Sequence, residues 1–203
     1  MRLVTPPVSS LPPAPAGFCR RDPQSWLAWV DAAFSDDRNR ALHSRGVWHR
    51  IAAARRLELA HLGADRMLSL ELAALVHDIG RAIDPADTEP HAFVGARYLD
   101  VVGLHDVASL VAHHSGAKLE ALDRDMIHLD LWPDVDRELL QLLNYADRTV
   151  NAVGESVTLS QRRADIAVRR GDDSPSVRRF DALLPELVLA ERTFHGGGRR
   201  RTA

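Results

Sequence analysis

The sequence predicts an all-α protein, a bundle of helices that turns polar side chains into a shared core. Three observations carry this. From Pro23 onward apolar residues recur at three- and four-residue intervals, the spacing of one helical face. Nowhere do they alternate with period two, as a half-buried strand requires. Nearly every periodic segment is also bounded by a helix start or stop: an acidic or hydroxyl cap, a proline or a glycine.

The elements follow in order. A short first helix is expected from about Gln24 to Phe34. The second, from about Asp37 to Leu62, places Leu42, Val47, Ile51, Ala54 and Leu57 along one side and stops at Gly63. The third runs from about Met67 to Gly80 and the fourth from behind Pro90 to Gly103. The fifth covers about Asp106 to His114 with Gly116 beyond it, and the sixth follows Asp134 to about Val150. A seventh is expected from about Thr158 to Arg170, ahead of Gly171. The eighth starts at Pro175 behind the cap Ser174 and reaches about Thr193, with Pro185 expected to bend it. Segments 83–89 and 117–133 are left as connections. No internal repeat of fixed period is present.

These elements divide the chain into a proline-rich, disordered leader (1–22), a helical domain (23–150), C-terminal helices packed on it (151–194) and a flexible basic tail (195–203). The chain is long enough to bury a sizeable core. A net charge of −2 gives no global positive field, so nucleic acid and acidic membranes are not expected partners. The single cysteine, Cys19, excludes an internal disulfide, and the first residues lack a signal-peptide core. A cytoplasmic location is expected. No stretch approaches the roughly 18 consecutive apolar residues of a membrane span.

The stretch ELAALVHDIGRAID (71–84) points to function. An apolar run that ends in adjacent His77 and Asp78 buries ionisable groups, which is costly unless they are paired or bind a metal. Candidate partners sit on the other helices. His43 lies early in the second helix, His91 opens the fourth, His113 and His114 close the fifth, and Asp147 lies late in the sixth. One ligand group on each of five successive helices is how a metal site is built inside a bundle. Imidazole with carboxylate suits iron or manganese, and also cobalt, nickel or zinc, better than calcium or magnesium.

The motifs HSRGV around His43, LVHDIGR around His77 and Asp78, and YADRTV around Asp147 resemble those of the HD-domain superfamily of metal-dependent phosphohydrolases. HAFVGARYL from His91 and VAHHSGA from Val111 resemble two further elements of its dinuclear branch. The similarity is closer to the HD-type hydrolases of symmetrical dinucleoside tetraphosphates, through the HxxVGA segment. The glycine-tyrosine-proline signature of the cyclic-dinucleotide phosphodiesterases is absent, and nothing after about Asn151 has a counterpart. The resemblance implies an HD-like bundle, one or two divalent ions, and a small phosphorylated substrate, expected to be a nucleotide. His43, His77, Asp78 and Asp147 would hold the first ion. His91 with His113 or His114 would hold a second, with Asp78 bridging.

An ion with an open position lowers the pKa of its bound water and polarises a phosphoryl oxygen, so no covalent enzyme intermediate is needed. Arg81 stands where many family members have lysine and is the first choice to contact substrate. Lys118 and Arg148 are second choices. The competing reading for Arg81 is a helix cap or a pair with Asp84. His113 and His114 are about 100° apart on a helix, so the two cannot face inward in the same way. His49, His61, His105, His128 and His195 fit no part of the pattern. Trp26, Trp29, Trp48 and Trp132 read as packing residues. Two alternatives stay open: an HD-type diiron oxygenase with the same ligand set, and a nucleotide-binding regulatory module without catalysis. Substrate identity and oligomeric state have no motif to read.

Overall fold

The computed structural model describes residues 17–126, 132 and 135–196. Most of the expected leader, most of the basic tail, and His128 lie outside the described residues. Among those described, the regular structure is helical, and Val150 and Ser156 form an isolated bridge. The helices are α1 (Pro23–Ala33), α2 (Arg38–Ala54), α3 (Ala64–Val76), α4 (Gly80–Ile83), α5 (His91–Val101), α6 (His105–His113), α7 (Ala117–Asp123), α8 (Arg137–Arg148), α9 (Leu159–Arg170) and α10 (Pro175–Gly196). Short 3-10 turns occupy Ala60–Leu62 and His114–Gly116.

Local chemistry sets the boundaries. Asp22, Asp37 and Asp136 accept backbone N–H groups at the starts of α1, α2 and α8, and Thr158 with Gln161 forms a capping box at α9. Ser174 accepts the Val177 N–H at 3.3 Å, as expected of the α10 cap. Pro185 lies inside α10. No described helix is long and apolar enough to cross a membrane.

The core is built around α3, whose Leu70 and Leu72 to Val76 are fully buried. It packs against α1, α2, α6 and α8, while α5 lies against α4 and α6. A helix apolar on nearly all sides belongs in the middle of a bundle. Burying each large side chain stabilises the fold by about 1.5–3 kcal/mol. The acid inside this apolar helix, Glu71, is paired with Arg55 at 3.1 Å, and burial raises its carboxyl above the ordinary range.

Four expectations are corrected. The long second helix stops at Ala54, whose carbonyl accepts from the N–H groups of Leu57, Glu58 and Leu59 as the chain tightens. This turn leaves Leu57 77% exposed and brings Leu59 and Leu62 into the core, while Leu42 is only half-buried. Gly80 begins α4 instead of ending α3. A Cβ there would lie 1.9 Å from the His91 carbonyl oxygen, so Gly80 permits the α4 and α5 backbones to meet. The segment after Gly116 is helical as α7, not a plain connection. Residues 18–20 of the expected leader are packed: Phe18 lies edge-on to Trp29 at 5.0 Å, Cys19 O accepts from Trp26, and Arg20 pairs with Asp106.

Candidate metal centre

Six side chains from five places in the chain converge in the core. His43 comes from α2, His77 and Asp78 from the turn after α3, His91 from the first position of α5, His114 from the turn after α6, and Asp147 from the end of α8. All six are buried. His43 Nε2 lies 3.1 Å from Asp147 Oδ1, and His77 Nε2 lies 3.7 Å from the same oxygen and 3.5 Å from Asp78 Oδ2. On the other side His91 Nε2 is 3.1 Å from Asp78 Oδ1 and 3.2 Å from His114 Nε2.

The backbone fixes which ring nitrogens face the centre. His43 Nδ1 donates to the Asn151 carbonyl at 3.1 Å, His77 Nδ1 to Ala74 at 2.9 Å, and His114 Nδ1 to Val111 at 2.6 Å. A carbonyl can only accept, so each of these Nδ1 atoms carries a proton, which leaves Nε2 as the ring atom that faces the centre and could ligate when the ring is neutral. His77 Nε2 is buried with no hydrogen-bond partner. Three imidazole Nε2 atoms and two carboxylates therefore surround one space, and with the rings neutral that is an all-acceptor arrangement that repels itself unless a cation sits within it.

Electrostatics sharpen the point. Burial pushes the His77 imidazole below its ordinary value, and burial beside His91 and His77 pushes His114 to about 3. Burial would raise Asp78, but His77, a hydrogen bond with His91, and the Arg40 and Arg81 guanidinium groups outweigh it and hold the carboxyl well below its ordinary value. Asp147 is held low in the same manner, against burial, by His43, Arg148 and His77. Neutral imidazoles with ionised carboxylates are the protonation states in which these groups coordinate metal. Two subsets, His43 with His77 and Asp147, and His77 with Asp78 and His114, each have ligand atoms within 4.8 Å of one another.

Other expected site residues are placed differently. His113 is turned out of the group, and its Nε2 lies 2.7 Å from the Trp132 carbonyl oxygen. Arg81 is half-exposed with its Nε donating to Asp78 Oδ1 at 3.1 Å; it pairs with Asp78, while Asp84 is taken by Thr88 and Glu89. Arg148 is turned toward the Ser115 carbonyl at 3.0 Å and over the Phe180 ring, which places it behind Asp147. Lys118 is exposed on α7.

Sequence reasoning missed three contributors. Arg40 donates to Asp78 Oδ2 at 2.5 Å; its signal was its place one turn before His43. Ser115 has a backbone φ of 56°, in the left-handed region. Asn144 holds it there by accepting the Ser115 N–H at 2.7 Å, and the Ser115 hydroxyl donates to Asp147. A strained residue that fastens a candidate ligand is a feature of built sites.

The sequence model of the HD domain matches residues 40–152, a span that runs from Arg40 past Asp147 to the turn that holds His43. No curated protein and no solved structure gives a significant match.

Proposed function

The chain belongs to the HD-domain family, and we propose from that premise that it is a metal-dependent phosphohydrolase acting on an ester or anhydride of a nucleotide-like small molecule. The observation that carries this reading is the convergence of three backbone-oriented imidazole Nε2 atoms on two ionised, buried carboxylates. The donor set fits a divalent ion: His43, His77, Asp78 and Asp147 would hold one, and Asp78, His91 and His114 a second, with iron or manganese preferred. Such an ion supplies acidity to a bound water and polarises a phosphoryl oxygen.

The chain's own residues do the rest. Asp78 stays ionised at neutral pH and serves as an anionic ligand, not as a proton store. Arg40 and Arg81, both partly exposed while they hold Asp78, offer guanidinium forks to a phosphate at the same place. Arg148 and Ser115 hold Asp147 from behind, which keeps its carboxylate oriented. The HxxVGA and VAHHSGA segments that carry His91 and His114 support the dinuclear version.

The test is a phosphate-release screen of nucleotides, including dinucleoside polyphosphates, on protein loaded anaerobically with Mn(II) or Fe(II). Release that stops on chelation and in His77→Ala is the expected result. Bound iron with oxygen consumption and no phosphate release would replace this reading with the diiron oxygenase.

A further inference from the structure

A cleft of about 370 Å³ opens beside the last turns of α2, the 149–157 turn and the end of α10. His49, Arg50, Glu58, Ser156, Phe194 and His195 line it, and none of the six buried histidines and aspartates does. Its volume falls in the range of small-ligand pockets.

Arg50 makes this cleft unusual. Its guanidinium carbon lies 5.0 Å from the Tyr145 ring centre and 5.7 Å from that of Phe194, so two aromatic rings hold the fork in place. Its donors meet neutral hydroxyls, Tyr145 at 3.0 Å and Ser156 at 3.3 Å, and its Nε–H is buried without an acceptor among the described residues. No carboxylate forms an ion pair with it among the described residues, whereas Arg40, Arg55 and Arg66 each have one. A partly buried guanidinium held rigid and without a directly paired carboxylate among the described residues, the nearby Glu191 bonding to Tyr145 instead, is prepared for an anion.

The surroundings agree. His49 and His195 flank the same space, and His195 Nε2 is anchored 3.2 Å from the Tyr145 hydroxyl. Glu58 is the one carboxylate among the lining residues, against one arginine and two imidazoles.

We propose that this cleft is a second ligand site, which takes a small oxyanion, phosphate or carboxylate, on the Arg50 guanidinium between His49 and His195. It stands independently of the reaction assigned to the buried centre.

The experiment titrates the full chain, stripped of metal, with inorganic phosphate and separately with acetate while the histidine ring signals are followed by NMR. The expected result is a saturable shift of the His49 and His195 signals, with affinity about tenfold weaker in Arg50→Gln. Response to phosphate alone assigns a phosphate site, and response to both assigns a general oxyanion site. Because Arg50 also braces Tyr145, His195→Ala is run beside it; it removes an exposed ring whose hydrogen bond goes to Tyr145 and leaves Arg50 in place, and weakened binding there supports the site as well. No saturable shift with either anion, or unchanged affinity in both variants, overturns the proposal. The buried His77 and His114 signals in the same spectra separate this site from the metal centre.

Discussion

His43, His77 and Asp147 form one half of the buried cluster; Asp78, His91 and His114 form the other, and the two are fastened differently. In the first half both imidazoles are tied through Nδ1 to backbone carbonyls, and Asp147 is held by Ser115. In the second half only His114 is tied that way. His91 Nδ1 is buried with no hydrogen-bond partner, and Asp78 is occupied by Arg40 and Arg81. Rings oriented by the backbone are preorganised for a ligand, whereas His91 is held only through Nε2, by Asp78 and His114. The first half is therefore the tighter site. On the proposed function, the second would be completed by its ion and substrate, and the arginines that hold Asp78 are the groups that substrate would engage.

His77 is shared by the two groups of closely spaced ligand atoms, His43 with His77 and Asp147 and His77 with Asp78 and His114, so its loss tests the largest effect. His77→Ala is expected to remove all bound metal and all activity while circular dichroism keeps most of the helical signal. Full activity in that variant would end the mechanism. His91→Ala touches the second half alone. It should lower metal stoichiometry from two toward one and cut activity by about 10–100-fold. Equal damage from His91→Ala and His77→Ala, read by metal analysis, would erase the distinction between the halves. Arg81→Ala leaves every candidate ligand in place and should cost about tenfold in kcat/KM with metal content unchanged. A change in metal content instead would make Arg81 a support for Asp78.

Acid sharpens the comparison further in metal-free protein. His77 and His114 are neutral in the fold, with pKa values lowered by burial, His114 from 6.5 to about 3. Each proton that the unfolded chain binds in excess makes stability fall as pH falls, so stability is undiminished above about pH 6.5 and is lost progressively as pH drops toward 3. The slope is about 1.4 kcal/mol per pH unit for each proton. Asp78 and Asp147, with folded pKa values depressed below 3.8, act in the same direction at lower pH. Urea unfolding at pH 7, 5.5 and 4.5 measures this, and stability that does not fall with acid would mean the rings are already protonated in the fold.

Much of this was legible in the chain because the candidate ligands are side chains at helix ends, where glycine, proline and caps mark positions. His43, His77, Asp78, His91, His114 and Asp147 were all readable, and the ambiguity between His113 and His114 is resolved by a turn of the backbone at Ser115. What orients them was not legible. The Ala74, Val111 and Asn151 carbonyls are backbone groups with no sequence signature, and the last lies 108 residues from His43. Gly80 misled because one residue type both stops helices and permits close backbone approach. Leu57 misled because an apolar period continued past Ala54, where the helix itself turned.

The most direct test of the central claim is metal content per chain, by inductively coupled plasma mass spectrometry on anaerobically purified protein. Close to two iron or manganese ions per chain is the expected result. No bound metal under any loading condition would contradict the account, since the converging lone pairs and carboxylates would then have to be satisfied by protons alone.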